Sequence, residues 1–225
     1  MLTRDLIATR GHLNLLKEGD RRRVWTEEQL GASLEATLAR KPAGGESVWV
    51  FAYGSLIWNP MILFDDRRWA TLSGWRRRFN MRMTMGRGSE EHPGRMLAIE
   101  PANGSIRGVA LHVPFDHLRE ELSLLWHREM LTGAYDPMWV TVTLDDGQQV
   151  HALIFASNRG HPSYEIDHSV ATVAPLIAAA CGPYGSNAEY VLRLHHELKL
   201  ASSDDHDIDA LADALLQQAR APLRA

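Results

Sequence analysis

The chain has 225 residues, of which 45% are hydrophobic and 23% charged, and its formal net charge is −4. This composition is typical of a globular protein, and the length suits one large domain or one domain with an appendage. Nucleic-acid-binding modules usually carry a basic face, so the acidic balance argues against that class. Two arginine runs, at residues 21–23 and 76–78, are predicted to be solvated or structural faces.

The N-terminal segment carries charges every few residues, so it lacks the apolar core of a signal peptide. No stretch approaches the roughly 18 apolar residues that a membrane span needs. Cys181 is the single cysteine, which rules out an intramolecular disulfide or a CxxC metal pair and favours a reducing compartment. The sequence therefore predicts a cytoplasmic protein without a membrane partner, in which Cys181 is a buried small hydrophobe.

Residues 1–45 are predicted to form a helical extension packed on a main domain at residues 46–225. Thr26 and Gln29 have the spacing of a capping box, which marks the start of a helix. The leucines that follow form one apolar stripe: Leu30, Leu34 and Leu38. The glycine-containing segment KPAGGES then separates this helix from the strand pattern that follows.

Apolar runs and period-two alternation predict strands at residues 48–53, 67–72, 79–85, 96–100, 106–113, 138–144 and 148–156. Asn103-Gly104 and Asp145-Asp146-Gly147 predict two hairpin turns between them. Helices are predicted at residues 115–129, from Pro175 in a first turn to Ala180, from an Asn187 cap to Leu200, and at residues 208–220. Hairpins without βαβ alternation predict an α+β fold with a mixed, mostly antiparallel sheet that can curl into a barrel.

The first candidate site is residues 53–60 (YGSLIWNP), directly after the buried strand. A strand that ends in Gly-Ser releases several backbone N–H groups, which can form a nest for a carboxylate or a developing oxyanion. The alternative is a plain strand exit in which Asn59-Pro60 ends the segment.

The second candidate is Glu129, which follows Leu118, Leu122 and Leu125 on one helical stripe. A carboxylate aimed at a core is costly unless it is paired or used, and burial would suit it to proton transfer near neutrality. The alternative is a helix end where Glu129 reaches solvent or pairs with Arg128 or another arginine.

A third candidate is the glycine-rich loop at residues 182–190, which ends on Tyr190. Its phenol could donate to a ligand, although spacing alone favours a core aromatic with a wet tip. The histidines show no metal-ligand spacing, and the chain has no P-loop, GxGxxG or GxSxG motif. We therefore expect neither a metal nor a cofactor.

Five motifs occur in order along residues 47–200: VWVFAYGSLIWNP, Arg77-Arg78-Phe79, Pro93-Gly94-Arg95, Arg128-Glu129 followed by Gly-x-Tyr, and GPYGSNAEYVL. Together they resemble the ChaC family of γ-glutamylcyclotransferases. Two departures are Ala52, where the family often has glycine, and residues 85–92, which lack its His-Arg-Gly-Thr-Pro pattern. The N-terminal extension resembles that of bacterial members.

The resemblance implies a barrel-like fold and cleavage of glutathione to 5-oxoproline and cysteinylglycine. The substrate's own α-amine attacks its γ-carbonyl, so no cofactor or enzyme nucleophile is needed, and Glu129 would serve as base and then acid. Substrate-binding residues would be Tyr53, Gly54, Ser55, Leu56, Arg78 and Tyr190.

Two alternatives stay open beside this interpretation. The first is a cyclotransferase for another γ-glutamyl amine or dipeptide. The second is a non-catalytic regulator that binds γ-glutamyl ligands and is linked to cation transport. The sequence gives no prediction of the oligomeric state.

Overall fold

The structure, a computed structural model, describes residues 3–15 and 23–220. Arg21 and Arg22 of the first basic run, and residues 1, 2 and 16–20 of the predicted extension, lie outside the described residues. The described chain divides into two compact units. The barrel unit comprises residues 3–15, 23–76 and 98–162, and the helical unit comprises residues 77–97 and 163–220.

Five of the described strands close into a barrel in the order β1-β3-β2-β4-β5. Their bounds are β1 Val48–Ala52, β2 Asp66–Met83, β3 Gly94–Val113, β4 Tyr135–Leu144 and β5 Gln149–Ser157. Strand β1 is antiparallel to β3 and parallel to β5, and β4 is antiparallel to β2 and β5. The predicted α+β fold with a mixed, mostly antiparallel, barrel-like sheet is confirmed.

The hairpin predicted at residues 145–147 is present between β4 and β5. Thr143 lies opposite Gln149, and the Gly147 N–H donates to the Leu144 carbonyl at 2.8 Å. Gly147 has a φ of +86°, which a glycine adopts without steric cost. The sequence signal and the backbone geometry agree here.

The hairpin predicted at Asn103-Gly104 is wrong, because β3 runs through both residues without turning. Arg76 Nε donates to the Asn103 carbonyl at 2.8 Å, and a Cβ on Gly104 would lie only 2.9 Å from that Nε. The glycine therefore admits a neighbouring side chain instead of forming a turn. The segments predicted at 67–72 and 79–85 are likewise parts of one strand, β2.

Three helices of the barrel unit are α1 Arg4–Ala8, α2 Glu27–Leu38 and α3 Leu118–Glu129. The capping box before α2 is confirmed: the Gln29 N–H donates to Thr26 Oγ1 at 3.2 Å, and the Thr26 N–H donates to Gln29 Oε1 at 2.8 Å. Short 3-10 turns lie at Gly11–Leu15, Ser55–Ile57 and Phe115–His117.

The helical unit contains α4 Val170–Ala179, α5 Asn187–Leu200 and α6 His206–Arg220, with the two-residue strands β6 Cys181–Gly182 and β7 Gly185–Ser186. Pro175 lies inside α4, so its placement in a first turn was wrong. The helix starts earlier, with Ser169 at the N-cap, and the Asp167 carboxylate just before it accepts from the Ser169 N–H at 3.0 Å and from the Thr172 hydroxyl at 2.6 Å. Such side-chain acceptors favour a helix start.

Two other predictions fail in the helical unit. Ser186 caps α5, since its hydroxyl accepts from the Glu189 N–H at 3.1 Å, whereas Asn187 is buried and its Oδ1 accepts from the Arg95 N–H at 2.7 Å. Cys181 is exposed, because it lies in a two-residue ladder and not inside the preceding helix.

In the second basic run, residues 76–78, the central arginine is a buried structural residue. Arg77 is 1% exposed and pairs with Asp205 at 2.7 Å. Over the described ranges, no helix is both long and apolar enough to cross a membrane.

Candidate active site

The first candidate segment leaves the barrel at the end of β1. Tyr53 is 8% exposed, and its hydroxyl donates to the carbonyl of Phe155 in β5, the parallel neighbour of β1. This bond ties the start of the loop to the edge where both strands end. The hydroxyl of Tyr53 therefore makes a hydrogen bond that stabilises the fold.

The next residues form the 3-10 turn Ser55–Ile57. Its first hydrogen bond runs from the Ile57 N–H to the Gly54 carbonyl at 2.9 Å. The N–H groups of Ser55 and Leu56 precede that bond, so the turn does not consume them. The turn is anchored by the side chains of Leu56 and Ile57, which are 8% and 4% exposed.

Glu129 is the last residue of α3. Leu118, Leu122 and Leu125, which share its stripe, are 8%, 0% and 0% exposed, so this face of the helix points into the barrel unit. The Glu129 side chain keeps 17% of its surface exposed. Burial raises the pKa of its carboxyl above the ordinary range, and the charge of Arg128 lowers the pKa by a smaller amount.

Arg128 links Glu129 to the loop at residues 53–60. Its Nε lies 2.9 Å from Glu129 Oε1, and its Nη2 donates to Ser55 Oγ at 2.8 Å. Its Nη1 donates to the carbonyls of Asn59 at 2.5 Å and Pro60 at 3.3 Å. One guanidinium therefore contacts both segments that the sequence singled out. The alternative in which Glu129 pairs with Arg128 is correct as a contact, and both side chains are largely buried there, at 7% exposed for Arg128 and 17% for Glu129.

The sequence reasoning offered Arg128 as a partner of Glu129 but missed its contacts with the loop at residues 53–60. Its signal was only adjacency to Glu129, and adjacent residues on a helix normally point apart. The two side chains meet at the end of the helix, where Met130 departs from helical geometry.

The segment after Glu129 is held by the N-terminal part of the barrel unit. The Trp25 N–H donates to the Leu131 carbonyl at 2.8 Å. Gly133 has a φ of +71°, and a Cβ there would lie 2.2 Å from the Trp25 ring. Asn158 Nδ2 donates to the Gly133 carbonyl at 3.0 Å. These contacts fix the backbone that follows the carboxylate.

The same part of the chain also contacts the other end of α3. Arg4 forms hydrogen bonds with both oxygens of Glu121, at 2.5 and 2.7 Å, and with the Met61 carbonyl at 3.0 Å. The Leu63 N–H donates to Glu121 at 2.9 Å. The Glu121 side chain is fully buried. Arg4 and Glu121 thus connect α1, α3 and the segment that follows residues 53–60.

Arg78 and Tyr190, the other two predicted site residues, belong to the helical unit. Arg78 Nη1 donates to the Arg77 carbonyl at 3.0 Å and pairs with Asp207. The Tyr190 ring packs edge-on against Phe79 with centroids 6.3 Å apart, and the Arg87 guanidinium lies 5.8 Å from its centroid. Tyr190 packs as the core-aromatic alternative expects, and substrate-binding roles for both residues stay predictions.

In the part of the chain that the structure describes, no group of three or more His, Cys, Asp or Glu side chains is placed to hold a metal ion. The expectation that the reaction needs no metal stays a prediction.

Comparison with solved structures defines the class of fold. The crystal structure of a selenomethionine-labelled γ-glutamyl cyclotransferase specific to glutathione, from yeast, matches with a TM-score of 0.69 and 22% identity, covering 77% of this chain and 97% of that one. At that identity the match shows the fold alone, which is the barrel-containing fold of that enzyme.

Comparison of sequences then shows the family. The model of the ChaC-like protein family matches residues 48–218. The glutathione-specific γ-glutamylcyclotransferase of Escherichia coli K12 is 46% identical over 206 residues, covering 91% of this chain and 88% of the relative. The human glutathione-specific γ-glutamylcyclotransferase 1 is 32% identical over 185 residues, covering 80% and 83%. The chain belongs to the ChaC-like family.

Proposed function

We propose that this chain is a glutathione-specific γ-glutamylcyclotransferase that converts glutathione to 5-oxoproline and cysteinylglycine. The observation that carries the proposal is the largely buried Glu129 side chain, which Arg128 connects to the loop at residues 53–60. The names of the Escherichia coli and human relatives support glutathione as the substrate.

The chemistry requires one carboxylate between two nitrogens. The substrate α-ammonium loses one proton, and its nitrogen attacks the γ-carbonyl carbon. That nitrogen then loses a second proton as the bond to the cysteinyl nitrogen breaks, and the departing amine takes up both protons and leaves as an ammonium. Glu129 accepts the first proton and delivers it to the leaving nitrogen, so it acts as base and then acid. A pKa raised by burial suits both steps, because the group must gain and lose a proton near neutrality.

The loop after β1 supplies groups for the developing charge. The N–H groups of Ser55 and Leu56, with that of Gly54, are proposed to donate to the oxyanion or to the substrate α-carboxylate. The side chain of Tyr53 holds the start of this loop. Folding the glutamyl chain into a ring-like geometry supplies the proximity between amine and carbonyl.

The remaining predictions complete the proposal. Arg78 and Tyr190 are proposed to bind substrate. Residues 1–45 are proposed as a helical extension packed on a catalytic domain at residues 46–225. The pairing of Arg4 with Glu121 supports that packing, and the single cysteine supports a cytoplasmic location.

The proposal is tested by identifying products from a panel of γ-glutamyl compounds in the presence of a chelator. We expect 5-oxoproline and cysteinylglycine from glutathione, at a higher kcat/KM than from any γ-glutamyl amine or other γ-glutamyl dipeptide. If the enzyme turned over one of those compounds faster, that compound would be assigned as the substrate instead of glutathione. Glutathione binding without any 5-oxoproline from the whole panel would favour the non-catalytic regulator.

A further inference from the structure

We propose that Arg128 is a positioning residue that holds the Glu129 carboxylate and residues 55–60 in one fixed arrangement. The inference rests on the proposed function, because it assigns a role at the same site. None of the motif matches assigns that role, and the contacts described above join Arg128 to Glu129 and to residues 55–60.

All three nitrogens of the Arg128 guanidinium have oxygen partners. Its Nε faces Glu129, its Nη2 faces Ser55 Oγ, and its Nη1 faces the Asn59 carbonyl, so each nitrogen has an oxygen partner at 2.5–2.9 Å. The arginine side chain is 7% exposed. Burying a charge this far is costly unless it is paired and hydrogen-bonded, and both conditions are met here.

The planar fork explains why this residue is an arginine. A guanidinium presents its N–H donors in fixed directions, whereas a lysine ammonium is a compact point charge on a flexible stem. An ammonium can therefore pair with Glu129 or reach the loop oxygens, but it cannot hold the same set of partners in one plane. The rigid guanidinium of Arg128 therefore fixes the distance between the Glu129 carboxylate and the loop.

The positive charge of Arg128 also affects the pKa of the Glu129 carboxyl. Burial raises the pKa of Glu129, and Arg128 is the charged group that acts in the opposite direction. Removing this charge lets burial act alone, so the pKa of Glu129 rises further. The base then ionises only at higher pH. Geometry and charge can be separated, because lysine retains the charge and loses the fork.

The experiment compares Arg128→Lys and Arg128→Met with the wild-type enzyme, using pH profiles of kcat/KM with glutathione. Arg128→Met is expected to lose about 10²-fold in kcat, because small misplacements of reacting groups have effects of that size. Its acid limb is expected to move up by about 1 pH unit or more. Arg128→Lys is expected to lose about tenfold or more in kcat with its acid limb near the wild-type position.

Arg119→Met is the matched control. Arg119 lies on the same helix and pairs with Glu35, and its side chain is 72% exposed. Both kcat and the acid limb should stay at wild-type values in this variant. Wild-type kcat in Arg128→Lys together with an unmoved acid limb in Arg128→Met would overturn the proposal. If Arg128→Met does not fold, wild-type kcat in Arg128→Lys overturns it alone.

A direct titration separates this inference from the proposed function. Carbon NMR of the Glu129 carboxyl reports its pKa without any turnover. An upward shift in Arg128→Met, with Arg128→Lys near wild type, supports the arrangement even if no panel compound yields 5-oxoproline. An unchanged pKa in Arg128→Met contradicts it even if the enzyme is active.

Discussion

At the scale of the residue, Glu129 is defined by two opposing effects on one carboxyl group. Burial raises its pKa, and the adjacent guanidinium lowers it by a smaller amount. A carboxyl that was fully exposed would lose its proton well below neutrality, and one buried without a cation would retain it too firmly. Burial opposed by a neighbouring cation favours a group that exchanges protons near the working pH.

The raised pKa predicts a specific dependence of stability on pH. Between the unfolded pKa of about 4.3 and the higher folded pKa, the folded state binds the Glu129 proton more tightly than the unfolded state does. The wild-type protein should therefore lose stability relative to Glu129→Gln as pH rises through that window. Urea unfolding of both proteins at several pH values measures the difference, and a difference that grows in favour of wild type would contradict the account.

The sequence located the carboxylate and offered Arg128 as one possible partner, but it did not show that Arg128 also contacts the loop at residues 53–60. The spacing from Leu118, Leu122 and Leu125 placed Glu129 on the inward stripe, because helical periodicity determines which face a residue shares. The contact with Arg128 depends on the end of the helix and on the path of the loop at residues 53–60. Those are tertiary features, and a single sequence does not encode them as a local pattern.

At the scale of the element, helix α3 is held at both ends by the N-terminal part of the barrel unit. Arg4 pairs with Glu121 in the first turn, and Trp25 contacts Leu131 and Gly133 after the last turn. Glu129 ends the helix between these two contacts. The N-terminal segments thereby contribute to the position of the proposed base.

The Arg4–Glu121 pair is predicted to be a large contributor to stability. Arg4→Gln leaves a fully buried carboxylate without its cation, which should lower the free energy of unfolding by about 3 kcal/mol. Arg119→Gln, which disrupts an exposed ion pair on the same helix, should have little effect. Chemical denaturation measures both, and equal effects of the two substitutions would contradict the prediction.

The packing of Trp25 on Gly133 gives a second test at this scale. Gly133→Ala combines a positive φ with a Cβ placed 2.2 Å from the Trp25 ring, and should lower the free energy of unfolding by about 3 kcal/mol. Gly147→Ala has a similar φ with open space around the Cβ, so backbone strain alone should lower it by about 1 kcal/mol. Thermal or urea unfolding distinguishes them, and a milder effect at Gly133 than at Gly147 would refute the packing argument.

Local patterns predicted most elements and failed where tertiary contacts decided the outcome. The capping box before α2 and the turn at Gly147 were predicted because their hydrogen bonds are local. The turn predicted at Asn103-Gly104 failed because the approach of Arg76 gives that glycine another role. The early start of α4, at the Ser169 N-cap, was missed because Pro175 was placed in the first turn of the predicted helix.

At the scale of the whole molecule, the barrel brings together segments that are far apart in sequence. The parallel pairing of β1 and β5 places the Tyr53 loop at the edge where both strands end. Glu129, at the end of α3, is linked to that loop by Arg128, which contacts both Glu129 and Ser55. The barrel order itself could not be derived from the strand list, because pairing between distant strands depends on closure of the whole sheet. The family resemblance implied a barrel-like fold but gave no strand order.

The most direct test of the central claim is a single-turnover measurement of 5-oxoproline formation by Glu129→Gln, paired with calorimetric binding of glutathione. The substitution retains the shape of the side chain and removes its ability to take a proton. We predict binding close to wild type and a rate about 10²–10⁴-fold lower. A rate close to that of the wild-type protein would show that Glu129 is not the base.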